Sequence, residues 1–320
     1  MKYGLWNILI GRNSRQGLWS VPLLLAVVGC LWLSFQTRDF FSAGNLLNLL
    51  SQALPLIIAS IGQMVVVLLG GLDLSVGSVI SLTTVILAAD APSYVVIPGV
   101  FIAAVAIGCA NGIAVTRLNV NPIIATLSMQ MLVEGLARLI RPVAGGQIPW
   151  LVTNAVDGTV LGIPTSIIWM ALVILLGWKL LYGSRFGFHL FAVGGGVAAG
   201  REDAAHTFGI ADKRTILLAY ILCSVFAALA GVFLAGRIAS GDPNLGPPFA
   251  LDSITAVALG GTQLAGGIGS LHGTVISAFA MALLANGMNL MNVSAFMQTG
   301  IKGAILLLVV AMQTRKKMGL

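Results

Sequence analysis

The sequence is short of charge. Among 320 residues only 17 are Lys or Arg and 10 are Asp or Glu, together 8%, against roughly 25% in an average soluble domain. So few ionised side chains cannot coat a water-facing surface of this size, which excludes a soluble globule and a disordered chain. The net charge of +7 therefore reports orientation in a membrane rather than affinity for nucleic acid. Cysteine is scarce as well: Cys30, Cys109 and Cys223 lie far apart in apolar stretches with no CxxC spacing, a pattern of packing rather than of disulfide or metal. Catalytic signatures are missing. His189, His206 and His272 have no HExxH spacing, and no GxSxG occurs. The glycines of 267–273 have the wrong final spacing for a dinucleotide fingerprint. No paired carboxylates or metal ligands stand together, so neither an enzyme nor a bound cofactor or metal is expected. No G-x-x-x-x-G-K-[ST] is present, so any ATP that powers this chain must bind another polypeptide.

What remains is apolar sequence. Hydrophobic residues make up 58% of the chain, and no Asp, Glu, Lys or Arg interrupts 40–72, 91–116, 158–178, 215–236 or 253–301. A hydrocarbon core about 30 Å thick needs roughly 20 apolar residues per helix, so each interval holds a span and the last holds two. The expected fold is all-α, a polytopic membrane bundle of about ten helices near 18–35, 46–69, 75–89, 95–115, 122–140, 165–182, 214–236, 249–261, 271–291 and 294–313. The eighth is the weakest. The first apolar run is too long for a signal-peptide core and precedes no A-x-A site, so it reads as a retained helix. With both termini cytoplasmic, 12 of 17 basic residues fall inside and Arg38, Arg138, Arg141 and Arg237 outside, which agrees with the positive-inside rule.

Small residues at four-residue spacing mark helix contacts: Ala104, Gly108 and Gly112 on one face, Ala227, Gly231 and Ala235 on another. Lipid supplies no hydrophobic drive between helices, so close backbone approach does that work. Two segments do not read as plain helix. One holds Gly70, Gly71, Asp73, Ser75 and Gly77; the other holds Gly260, Gly261, Gln263, Gly266 and Gly267. Both follow Val/Leu-rich runs and precede a Val-Ile-Ser, so they form a weak internal repeat. Matching interrupted segments point to a transport pathway, and tight turns between helices are the alternative. Asp73 is expected to cap the next helix through the N–H groups of Ser75 and Val76, with a pathway role as the alternative. Glu134 and Arg138, at i and i+4, are expected to pair. Gln63, Gln130, Asn111, Asn286 and Asn289 are intraspan polar residues suited to interhelical hydrogen bonds or to solute contact.

The long polar stretch 182–214 could hold a short helix started by Glu202 and Asp203 and stopped by Gly209, a docking element for a partner; an ordinary solvated loop is the alternative.

Residues 70–78, Gly-Gly-Leu-Asp-Leu-Ser-Val-Gly-Ser, resemble the motif that follows the second span in permease subunits of bacterial ABC importers of the ribose, xylose, arabinose and galactose type. The segment 121–127 resembles that family's Pro-Phe-Ile-Ala-Thr-Leu. Arg185-Phe186-Gly187, Ala192 to Gly195, Asp203-Ala204-Ala205 and Gly209-Ile210 follow its cytoplasmic loop, and 252–261 with 267–270 its C-terminal half. The resemblance runs from about residue 40 to 312. It departs where Gly196 replaces an Asn and 197–200 is additional.

The resemblance implies a single permease domain, 1–320, in the bacterial inner membrane. Its loop 183–213 would dock a cytoplasmic ATP-binding subunit through Glu202, Asp203, Ala204, Ala205 and Gly209. It further implies a periplasmic sugar-binding protein and a second permease subunit, the same or homologous, with membrane lipid around both and no nucleic acid. The solute would be a monosaccharide or small polyol. The pathway residues would be Gly70, Gly71, Asp73, Ser75, Gly77, Gln63, Gly260, Gly261 and Gln263. An ion-driven secondary transporter is the alternative function, although its usual mark, unpaired intramembrane acids, is nearly absent.

Overall fold

The computed structural model describes residues 20–36, 40–200 and 209–312. Among these residues twelve helices run in order: α1 Ser20–Gln36, α2 Ala43–Val67, α3 Val76–Leu87, α4 Ser93–Thr116, α5 Pro122–Ile140, α6 Trp150–Asp157, α7 Thr165–Tyr182, α8 Arg185–Ala198, α9 Asp212–Ile238, α10 Pro247–Leu259, α11 Leu271–Leu290 and α12 Ala295–Met312. A two-residue hairpin, β1 Thr159–Val160 and β2 Ile163–Pro164, sits between α6 and α7.

All ten expected spans appear as helices. Six of them (α2, α4, α5, α7, α9 and α11) are long and apolar enough to cross a bilayer. α3 and α10 have 12 and 13 residues, about 18–20 Å at 1.5 Å per residue, which is less than a hydrocarbon core. Two helices lie outside the expected set. α6 is an eight-residue helix where the Gly/Pro punctuation reads as a loop. α8 fills a stretch whose three consecutive glycines argue against helix.

The core is built around α2 and α9. Every residue of α2 from Ala53 to Val67 is buried. The small-residue faces do what the spacing implies. A Cβ at Gly108 would stand 2.5 Å from the Ile221 Cα, one at Gly112 3.0 Å from the Leu217 Cα, and one at Gly231 2.6 Å from the Thr83 Cβ. α4 and α3 thus lie against α9 nearly backbone to backbone.

Polar side chains join other pairs. Asn45 of α2 and Asn286 of α11 exchange amide bonds at 3.3 and 3.0 Å, and Gln298 of α12 donates to Asn289 at 2.8 Å. Lys302 of α12 meets buried Asp252 of α10 at 2.6 Å. Arg141 donates to the Ala88 carbonyl beyond α3 (2.9 Å), and Gly145 and Gly241 exchange backbone bonds at 2.9 and 3.0 Å.

Candidate functional site

α2 ends by a specific device. Gly70, at φ +77°, donates to the Val67 carbonyl (2.9 Å), and Gly71 reaches back to Val66 (3.2 Å). This is a Schellman stop, with a left-handed residue turning the chain while the last carbonyls stay satisfied. α10 ends the same way. Gly261, at φ +84°, donates to Ala258 (3.1 Å), and Thr262 reaches Val257 (3.2 Å). The internal repeat is thus a repeated helix stop. Its register pairs Gly70 with Gly261, one residue off the alignment of the two Gly-Gly steps.

The two stops meet. Gly267 N–H donates to the Leu68 carbonyl at 2.8 Å, one of the α2 carbonyls left free by the turn. Over this bond lies α8. A Cβ on Gly194 would fall onto the Leu68 oxygen, and one on Gly267 would stand 2.7 Å from the Gly195 Cα. The Val197 side chain approaches Gly70. The glycines of α8 are there because two other chains occupy the space of their side chains, which is why tertiary packing overrides their low helix propensity. Residues 197 and 198 are the last of α8.

Beyond Gly71 the motif is pinned by side chains. The Gln63 amide, inside α2, pairs with both backbone groups of Asp73: its nitrogen donates to the carbonyl (3.0 Å) and its oxygen accepts from the N–H (3.1 Å), an assignment made from the bonding network. One Asp73 carboxylate oxygen accepts from the Ser75 N–H (2.9 Å) and hydroxyl (2.5 Å). Asn111 of α4 donates to the Ser75 hydroxyl (2.9 Å). Asp73 does not cap α3 as expected. Ser75 is the cap residue, already in helical geometry, so the carboxylate closes a turn at Ser75 and makes no bond to Val76. A Cβ at Gly71 would stand 2.8 Å from the Tyr220 hydroxyl; that glycine is required for close approach, not for positive φ.

Gln63, Asp73 and Ser75 are fully buried, and Gly71, Gly77 and Gly260 are buried too, while Gly70 and Gln263 are exposed and Gly261 is half-buried. Within the described structure these residues surround the Leu68–Gly267 contact. Of the expected docking residues, Gly209 has φ +77°; Glu202, Asp203, Ala204 and Ala205 lie outside the described residues.

A third unwound stretch joins α9 to α10. The chain at 242–246 runs alongside α3. Thr84 accepts from the Asp242 N–H (3.0 Å) and Ser81 from the Gly246 N–H (2.9 Å), and Gly77 touches Gly246 backbone to backbone. The span from Gly77 to Thr84 is about 10 Å of helix, so α10 begins well inside the bundle. Asn244 faces outward and accepts from Arg138 at 3.3 Å. Arg138 pairs with Glu134 as the i,i+4 spacing implies, at 3.9 Å, and Glu134 also accepts from Gln130 (2.8 Å). At the opposite end of the bundle from α8, Asn48, Ser51, Asp157, Thr165, Ser166 and Arg237 line a cleft of about 330 Å³.

Residues 45–310 match the family model for the permease component of the branched-chain amino acid transport system. The ribose import permease protein of Escherichia coli K12 is 33% identical over 314 residues, 95% of this chain and 94% of that protein. The corresponding protein of Bacillus subtilis 168 is 35% identical over 309 residues, 92% of each chain. The D-allose transport system permease protein of E. coli K12 is 27% identical over 297 residues, 90% of this chain and 89% of that one. No solved structure matches the chain. The family implies an ATP-binding subunit and a substrate-binding protein as partners. A helical bundle with repeated membrane-type spans and no nucleotide motif, matched over nearly its full length by such proteins, belongs to the family of ABC-importer permease components: it is a multi-pass inner-membrane transport subunit, not an enzyme.

Proposed function

We propose that this chain forms, with a second permease subunit, the membrane path of an ATP-driven importer for a monosaccharide or small polyol. The solute class follows the ribose and allose relatives, which align over about nine-tenths of this chain or more. A periplasmic sugar-binding protein delivers the solute, and a cytoplasmic ATPase pair docks on 183–213. The observation that carries the coupling is the seating of α8 on the Leu68–Gly267 contact. α8 belongs to the stretch that meets the ATPase, and it rests on the ends of both broken segments at once. A shift of α8 changes the α2–α3 and α10–α11 junctions together, so ATP binding biases one of two packings of the bundle. The sugar then follows alternating access.

The ion-driven alternative needs an intramembrane acid free to cycle. Asp252 is tied to Lys302 and Glu134 to Gln130, which leaves that reading with Asp73 alone. The test is uptake of radiolabelled ribose, allose and xylose into proteoliposomes holding the permease with its ATP-binding subunit and binding protein. Uptake requires ATP and the binding protein. Uptake driven by a proton or sodium gradient without ATP would replace this function with the secondary transporter.

A further inference from the structure

We infer that the polar edge of α5, together with the chain at 242–248, is the wall of the solute passage, facing a second permease copy across water rather than facing lipid. Gln130, Glu134 and Arg138 stand at four-residue spacing on one side of α5, which is 19 residues or about 28 Å long. Gln130 therefore lies near mid-membrane and Glu134 one turn away. Arg138 is half exposed, its side chain at 52%, and Glu134 is at 17%. Arg138 stands in the last turn, at the membrane edge, so Glu134 is the ionisable group at depth, and such a residue faces a bundle interior or a water-filled space. The rest of the exposed surface of α5 is chiefly apolar, with Met131, Leu132, Leu136 and Leu139 outward, and exposed Ser128 bonds back to the Ile124 carbonyl (2.9 Å).

The backbone beside that edge makes the same demand independently. The irregular chain at 242–246 lies at the depth of α3, and its neighbours Asn244, Pro248 and Leu251 are exposed. Irregular backbone at membrane depth is stable only against protein or an aqueous cavity. Two features that lipid excludes share one face of this chain, and Arg138 joins them through Asn244. The chemistry indicates the occupant. Gln130, Glu134, Arg138 and Asn244 carry no net charge and bond chiefly to one another, offering donors and acceptors in alternation, which suits a neutral polyhydroxylated solute better than an ion. This assignment rests on the importer reading for its solute and second copy, and on geometry alone for its water access.

The test uses the permease assembled with its ATP-binding subunit in membrane vesicles, with Cys30, Cys109 and Cys223 replaced by serine or alanine. Single cysteines are placed at Gln130, Asn244, Leu132 and Leu139, and a charged, impermeant thiol reagent is applied from either side. Gln130→Cys and Asn244→Cys are labelled, and Leu132→Cys and Leu139→Cys are not. Equal silence at all four positions overturns the wall. In uptake, Gln130→Leu and Asn244→Leu lose transport while the complex stays abundant; loss that only follows falling abundance makes the edge structural and also overturns the proposal. Failure of the unsubstituted assembly to import any sugar removes the importer reading instead, and the labelling pattern distinguishes that result from failure of the wall.

Discussion

Asp73 uses one carboxylate oxygen twice, on the N–H and hydroxyl of Ser75, and the carboxylate also lies beside the Cys223 thiol. Asn keeps an oxygen for Ser75 and gives up only the weak thiol contact, so Asp73→Asn should keep membrane abundance and uptake near normal. Asp73→Leu strands the Ser75 N–H and hydroxyl in a dry interior, at about 1–3 kcal/mol per unsatisfied group, and should lower abundance sharply. Equal loss of uptake in both variants at normal abundance would instead make the charge itself functional. Gly71→Val should resemble Asp73→Leu, because the new side chain runs into the Tyr220 hydroxyl. The Asp73 turn was only partly legible in the sequence. Asp-x-Ser at a Gly-Gly break signals a carboxylate bonded two residues on, but where α3 starts depends on Gln63 and Asn111, which come from distant positions.

At the scale of helices, α8 against the Leu68–Gly267 contact is the tightest three-way meeting. Gly194→Ala has no space, since its methyl falls on the Leu68 oxygen. Lifting α8 should cost about 1–3 kcal/mol, as overpacking does, and should separate ATP hydrolysis from uptake. Measured ATPase activity that no longer responds to the sugar-loaded binding protein would show it; unchanged coupling with normal uptake would remove α8 from the relay. Gly209→Val tests the same relay from the other side. No described residue lies within 4 Å of a Cβ there, but its φ of +77° is strained for a β-branched residue.

The long spans could be read from uninterrupted apolar runs, and the stripes of small residues forecast which faces meet α9. α8 could not be read, because its glycines look like breakers until Leu68 and Gly267 are seen to occupy the missing side chains. The depth of 242–246 was hidden for the same reason: Thr84, Ser81 and Gly77 hold it, and nothing local marks that. Arg138 found Asn244, a partner that i,i+4 reasoning on one helix cannot reach.

For the molecule as a whole, orientation is the quantity that the basic-residue count fixes. A single cysteine at exposed Ala199, in a chain without native cysteines, should react with an impermeant reagent only from the cytoplasmic side. Labelling from outside intact cells would invert the bundle, and with it the docking of the ATPase. The interior ion pair tests how the C-terminal helices hold together. Asp252→Leu or Lys302→Met alone should destabilise the purified protein by about 3–5 kcal/mol, and the double substitution should recover most of that loss, because removing both charges leaves neither uncompensated. Thermal unfolding in detergent compares the three variants; a double variant as unstable as the singles would mean that the pair does more than neutralise itself.

That same pair has a consequence for how the protein is made. The chain is synthesised from its N-terminus, so α10 emerges with Asp252 fifty residues before Lys302 exists. Until α12 is delivered, the carboxylate has no counter-ion in the finished arrangement, and α10 has too few residues to hold itself across a bilayer. The last three helices must therefore settle as one unit at the translocon, and a nascent chain arrested after α11 should be the form that membrane proteases remove first.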